Sequence, residues 1–514
     1  MSFANAIKNE LNESYNTART ENGALSYRTT TSHLLDMNFA ISSLRNKSES
    51  EIQKMFSQVF YEDKILACRF LFYVRDAREG TGERRTFRIC FKWLADNEPN
   101  VCKALIPLVA EYGRHDDIFV LLDTQVKDDV IAAIKKQLNE DAKNMMENKP
   151  ISLLAKWLKS PNASSKETKR LAKIIYKSIG MTERQYRKTL SKLRAYLDVV
   201  EVKMSAKQWN EINYSSVPSR SNLIYNNAFL RNDEERRREY LAKLASGDKS
   251  VKINAGVLFP HDIVGKYTTN SYWNDSVKNY DETLEQLWKN LNDTVGGASN
   301  IMVVADSSGS MTCKVDPHSN TSAMTVANAL AVYFSERCSG QFKDQYITFS
   351  SRPQWVDLSN CTSLHDKLAK AYSYNIVEDT NIEKTFDLIL QTAINNNMSQ
   401  EDMPSTVLCI SDCEFNSMVC GRPDMKLFQN INQKFEDAGY HMPKLVFWNV
   451  NSRSGAIPVK SNGNGFPCAL VSGFSTNVVK MVLNDELDPL KALLAELNKE
   501  RYDVVEEAIK ELVE

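Results

Sequence analysis

The amino-acid sequence predicts a two-part chain of class α plus α/β: stacked amphipathic helices first, a doubly wound α/β domain after them. Three observations carry this. Apolar residues recur at helical spacing through about the first 290 residues, and short continuous apolar runs alternating with helical stretches follow. Between them lies Asn290-Leu-Asn-Asp-Thr-Val-Gly-Gly-Ala-Ser-Asn300, a linker composition. A chain of 514 residues is too long for one core. The expected boundaries are 1–290 for the helical region, 291–485 for the α/β domain and 486–514 for a closing acidic helix.

In the helical region, Phe87, Cys90, Phe91 and Leu94 form one apolar stripe over 83–95, entered from Gly80-Thr81-Gly82. Over 166–179, Leu171, Ile174, Ile175 and Ile179 share a face opposite Lys166, Arg170, Lys173 and Lys177. Gly180 breaks that helix, and Thr182-Glu-Arg-Gln185 is a capping-box start for the next. That next helix buries Tyr186, Leu190, Leu193 and Leu197 and exposes Arg184, Lys188 and Lys192. Successive helices of this kind with short connections predict an α-solenoid, with no clean repeat period.

The first strand is Ile301-Met-Val-Val-Ala305, a run typical of a strand covered on both faces. Further strands are predicted at Gln345–Phe349, Gln354–Val356, Thr406–Ile410, Lys444–Val450 and Pro467–Val471. Helices are predicted at 322–338, 363–372, 381–394, 424–438, 475–483 and 487–512. The alternation predicts a parallel, doubly wound sheet.

Composition excludes some classes. With 42% hydrophobic and 25% charged residues the chain reads as globular, and no 18-residue apolar run or signal-like N-terminus is seen. The ten cysteines form no C-x-x-C pair, so free thiols in a reducing compartment are expected. A cytoplasmic, membrane-free monomer follows as the expectation. The net charge of −1 hides an asymmetry: residues 274–514 carry 20 basic and 32 acidic side chains, which leaves 44 and 33 for residues 1–273. The basic half is the candidate for polyanion contact.

Asp306-Ser-Ser308-Gly-Ser310 follows the first strand directly, at the sheet edge where doubly wound folds bind ligands. One carboxylate and two hydroxyls at i, i+2 and i+4 suit a hard cation such as Mg²⁺. Thr380 opens a predicted helix, and Asp412 follows the strand Val407–Ile410. Asp306 as a phosphatase nucleophile is an alternative, but such enzymes usually carry a second Asp where Ser308 stands. These three pieces resemble the von Willebrand A family. That resemblance implies a metal-ion-dependent adhesion site (MIDAS), with Ser308, Ser310 and Thr380 as direct ligands and Asp306 and Asp412 direct or water-bridged. An acidic group of a partner fills the remaining position in that family. The usual Gly-Gly before the Thr is here Glu378-Asp379, and two extra carboxylates beside the site either weaken binding of an acidic partner or attract a second cation.

The two parts together resemble the Ro autoantigen (TROVE) family, and more closely an uncharacterised relative with the same architecture. The residues carrying this are Val74-Arg-Asp-Ala-Arg-Glu-Gly-Thr-Gly-Glu-Arg-Arg85, Pro107-Leu-Val-Ala-Glu-Tyr-Gly-Arg-His-Asp-Asp117, Met204-Ser-Ala-Lys-Gln-Trp209, Val217-Pro-Ser-Arg220, Lys252-Ile-Asn-Ala-Gly-Val-Leu-Phe-Pro-His-Asp-Ile-Val264 and Ser411-Asp-Cys-Glu-Phe415. The resemblance implies HEAT-like repeats closed into a ring, a ribonucleoprotein that binds small non-coding or misfolded RNA, and no enzymatic activity.

Charge points to where RNA would bind. From Lys156 to Lys207 there are 14 basic residues against four acids, with Trp157, Tyr176, Tyr186 and Tyr196 interleaved. The candidates are Lys166, Lys169, Arg170, Lys173, Lys177, Arg184, Arg187, Lys188 and Lys192; a solvated helix face is the plainer reading. A second cluster, Arg75, Arg78, Arg84, Arg85 and Arg114, flanks the Gly80–Gly82 loop, where amides at the helix start are positioned for a phosphate. Pairing with Asp76, Glu79 and Asp116 is its alternative. The six histidines are scattered, and Cys313 with Cys413 is the one redox pair suggested. The expected function is a non-enzymatic RNA-binding scaffold with a divalent-cation site for an acidic partner. The alternative is a metal-dependent protein–protein scaffold without RNA.

Overall fold

The structure is a computed structural model that describes residues 2–269, 276–375, 379–417, 426–483, 486 and 488–513. Its residues fall into two compact units: Met1–Ser48 with Ala255–Asn498, and Glu49–Asn254 with Lys499–Glu514. A helix-rich N-terminal region therefore precedes a C-terminal mixed sheet with flanking helices. No described helix is long and apolar enough to cross a membrane.

In the sheet unit, Thr17–Arg19 (β1) and Leu25–Tyr27 (β2) pair as an antiparallel hairpin. Six further strands form one sheet: Ile301–Asp306 (β3), Gln345–Phe349 (β4), Gln354–Asp357 (β5), Thr406–Ser411 (β6), Lys444–Asn449 (β7) and Cys468–Ser472 (β8). Their order is β8-β7-β6-β3-β4-β5, parallel throughout except for β5, which runs antiparallel to β4 at the edge. Every residue of β3 and β8 is buried, as is all but the first of β6 and β7. That burial accounts for their continuous apolar runs. The helix Ala323–Arg337 packs on β3 and is buried from Ala323 to Ser335, so it is apolar all round.

The predicted strands and the helices Leu364–Ser373 and Ile382–Asn395 lie within a residue or two of their expected bounds. The predicted 424–438 helix is Leu427–Asp437, its first residues lying outside the described chain.

Composition shifts at residue 290, yet the sheet unit also takes in the first 48 residues and 255–290. Ser32 caps the helix His33–Ala40, which packs on β8, and Asn449 Nδ2 donates to the Phe39 carbonyl at 2.7 Å. Tyr27 pairs with Ile457, and Gly23 with Asn416.

The helical unit packs neighbouring helices pairwise, including Glu49–Glu62, Lys64–Arg75 and Arg84–Asn97, then Lys166–Ser178 with Glu183–Tyr196. The predicted capping box is present: the Thr182 hydroxyl and Gln185 carboxamide serve each other's backbone amides. The closing helix predicted over 487–512 is instead two, Pro489–Leu497 and Asp503–Val513, separated by the turn Glu500–Tyr502. Lys499 is extended at φ −70°, ψ 145°, and beyond it the chain is anchored elsewhere. Arg501 pairs with Asp76, and Arg69 Nη2 reaches Asp503 at 2.8 Å and Glu506 at 2.6 Å.

Candidate metal centre

Asp306 ends β3, and the chain then turns back on its own carboxylate: the Ser308 amide donates to Asp306 Oδ1 at 2.9 Å. A 3-10 turn over Gly309–Thr312 follows, bringing the Ser308 and Ser310 hydroxyls to 3.0 Å. Beside it, β6 runs one residue past the Ala305–Ile410 pair to Ser411, whose hydroxyl donates to Asp306 Oδ2 at 2.6 Å. Asp412 comes next and is tied to the Ser310 carbonyl through Arg453, whose Nη1 donates to both. Four of the five expected residues, Asp306, Ser308, Ser310 and Asp412, thus form one connected cluster at the carboxyl ends of neighbouring strands.

Thr380 joins it through the segment after Asp412. The Asn416 amide donates to the Thr380 carbonyl at 3.0 Å, and Asn22 Nδ2 donates both to Thr380 Oγ1 at 3.3 Å and to the Glu414 carbonyl at 2.6 Å. Asp379 is held by the Ser351 amide at 2.7 Å and by Asn416 Nδ2 at 3.2 Å, whereas Glu378 lies outside the described residues.

Burial pushes the Asp306 carboxyl above the usual carboxylate range, and the neighbouring Asp412 charge pushes it further. Asp412 is likewise raised, mainly by burial, with Ser310 and Arg453 opposing the shift. Two carboxylates in a dry pocket disfavour ionising together unless a positive charge sits between them. Arg453 brings a positive charge to Asp412, with Nη1 donating to Asp412 Oδ2 at 3.0 Å and to the Ser310 carbonyl at 3.4 Å. Glu414, fully buried, takes the amides of Arg453 at 2.8 Å and Ser454 at 2.7 Å on Oε1. Neither Arg453 nor Glu21, which pairs with it, carries any local signal in the sequence.

This donor set, two carboxylates and hydroxyls at a strand switch, fits a hard, oxygen-preferring cation. Among the described residues no group of three or more His, Cys, Asp or Glu is placed to hold a metal ion. Described cysteines are all free thiols, and burial raises the Cys413 thiol well above its usual range, which makes it a poor thiolate.

In the helical unit, Lys166, Lys169, Arg170, Lys173, Lys177, Arg184, Arg187, Lys188 and Lys192 are all exposed. Arg170 pairs with Asp123 and Glu167, each at 2.7 Å; among the described residues the other eight make no ion pair. The second cluster divides. Arg75 is buried against Asp117 at 2.7 Å, Arg114 grips Asp116 at 2.7 Å while covering the Trp157 ring, and Arg78 pairs with Glu111 at 3.0 Å. Arg84 and Arg85 stand at the start of the helix Arg84–Asn97, Arg84 exposed and Arg85 half-buried. The Gly80–Gly82 loop spends its amides on the preceding helix: Thr81 donates to Tyr73, Glu83 to Val74, and Gly80 and Gly82 to Asp76. A Cβ on Gly80 would stand 2.0 Å from the Tyr73 carbonyl oxygen, so only glycine fits this close approach.

Residues 20–112 and 114–301 match the family model described as Domain of unknown function (DUF2828), more than half of the chain. The chain belongs to that family. In this DUF2828 protein, residues 300–511 also match a second model, Domain of unknown function (DUF7788), which spans β3 to β8 and the five expected cation-site residues. It is 29% identical over 520 residues to "Uncharacterized protein L728" of Acanthamoeba polyphaga mimivirus, covering 93% of this chain and 87% of the viral protein. No solved structure matches it.

Proposed function

We propose that this protein is a non-enzymatic, cytoplasmic RNA-binding scaffold of the Ro type. Its helical unit takes small structured or misfolded RNA on HEAT-like repeats. Its sheet unit is a von Willebrand A-type domain holding Mg²⁺ or another divalent cation at Asp306, Ser308, Ser310, Thr380 and Asp412. The observation that carries the RNA reading is the set of eight exposed cations along Lys166–Ser178 and Glu183–Tyr196 that make no ion pair among the described residues. Such a face neutralises phosphates without reading sequence. The cation reading is supported by the strand order, in which the chain leaves β3 for β4 on one side and returns to β6 on the other, and by the cluster at the ends of β3 and β6.

Titrating a structured RNA by fluorescence anisotropy at about 50 and 200 mM salt tests this, with a loss of roughly 10³-fold or more expected if six or more phosphates are contacted. Replacing Lys173, Lys177, Lys188 and Lys192 by Glu should remove most binding at the lower salt. One observation favours a second reading, a protein–protein scaffold: the helix Phe3–Tyr15 exposes Phe3, Ile7, Leu11 and Tyr15 along one face. Absent or salt-insensitive RNA binding would select it.

A further inference from the structure

The β1–β2 hairpin turns over the candidate cation site. Thr20 Oγ1 donates to the Phe415 carbonyl at 2.5 Å, the Glu21 amide to Glu414 Oε2 at 2.7 Å, and the Ser417 amide to the Asn22 carbonyl at 3.1 Å. Asn22 covers the Thr380 hydroxyl. Thr380 is buried, whereas Glu21 and Asn22 of the turn are exposed.

The turn itself brings an acid. Glu21 pairs with Arg453, whose Nη1 lies on Asp412, so its carboxylate stands one guanidinium away from the cluster. Arg453 Nε and Nη2 both engage Glu21 Oε2; Oε1 accepts no hydrogen bond among the described residues.

We propose that Glu21 is the acidic group that completes the cation site, making the partner of this site the chain's own N-terminal hairpin. The inference rests on the cation reading above and adds its occupant. A cation held there would fasten the hairpin to the sheet edge through the Glu21 carboxylate, whose Oε2 Arg453 holds.

The test uses the full chain as wild type, Glu21→Gln and Asp306→Ala. Mn²⁺ titration gives affinity, and amide hydrogen exchange over residues 17–27 is followed with and without Mg²⁺. The expected result is slower exchange in wild type on adding Mg²⁺, no cation binding by Asp306→Ala, and Glu21→Gln binding about 10- to 100-fold more weakly with no Mg²⁺-dependent slowing. Glu21→Gln retains the backbone bond to Glu414, so unchanged exchange in the cation-free state confirms that its hairpin is seated. Should Glu21→Gln bind Mn²⁺ as wild type does and keep the Mg²⁺-dependent slowing, the inference is overturned while the cation site stands. If wild type binds neither metal, site and inference fall together.

Discussion

The Ser411 hydroxyl donates to Asp306 Oδ2 at 2.6 Å, tying together the ends of two neighbouring parallel strands. The same oxygen accepts the Cys413 amide at 2.9 Å, so one side chain shapes both the carboxylate and the turn that presents Asp412. Each partner is buried.

Ser411→Ala therefore leaves a buried carboxylate oxygen and a buried amide without that partner. It should lower unfolding stability by about 1–3 kcal/mol, read as a fall in the urea midpoint at unchanged slope. A midpoint equal to wild type would show that the hydroxyl does not hold the strand ends.

Local pattern makes the strands and the first candidate cation motif readable. β3 is six buried residues ending in Asp306, and the Ser308–Ser310 spacing is set by a single turn. Asp412 was legible for the same reason, since it follows an apolar run. The Glu21–Arg453 pair is not legible, because its residues are 432 positions apart and neither sits in a motif. The C-terminal break was missed because 487–512 keeps helical periodicity through Lys499. What stops the helix is the tertiary hold of Asp76 on Arg501 and Tyr502. In the sequence the arginines around Gly80 form one cluster, with Asp76, Glu79 and Asp116 as its acid partners. Burial then separates Arg75, sealed against Asp117, from exposed Arg84.

That separation has an energetic consequence. Asp117 has a fully buried side chain and accepts from Arg75 Nε at 2.7 Å and Arg88 Nε at 2.7 Å. Asp117→Ala strands a buried guanidinium and should cost about 3–5 kcal/mol. Asp123→Ala, which breaks the exposed pair with Arg170, should cost less than about 1 kcal/mol. Equal effects in a denaturation series would contradict the distinction.

His115 supplies a pH dependence. Burial lowers its affinity for a proton, only partly offset by Asp141 and Asp116. Its folded-state pKa thus lies below the unfolded value of about 6.5. The stabilisation from keeping the ring neutral is full above that pH and is lost as pH falls toward the folded value, because the unfolded chain takes up the proton first. His115→Gln should flatten the decline in stability between about pH 7 and pH 5. A variant whose stability falls with pH as steeply as wild type would refute this.

The cation site should also link metal to stability. A cation bound only by the folded chain at 100 times its dissociation constant adds about 2.7 kcal/mol. Mg²⁺ or Mn²⁺ should therefore raise the melting temperature of wild type and leave Asp306→Ala unmoved. Identical shifts in both proteins would place the bound metal elsewhere.

The most direct measurement is an anomalous difference map from crystals grown with Mn²⁺. The cation reading predicts a peak bounded by the hydroxyls of Ser308, Ser310 and Thr380, with the Asp306 and Asp412 carboxylates beside it. A map with ordered side chains there and no peak, or with Thr380 turned away from the two serines, would contradict it.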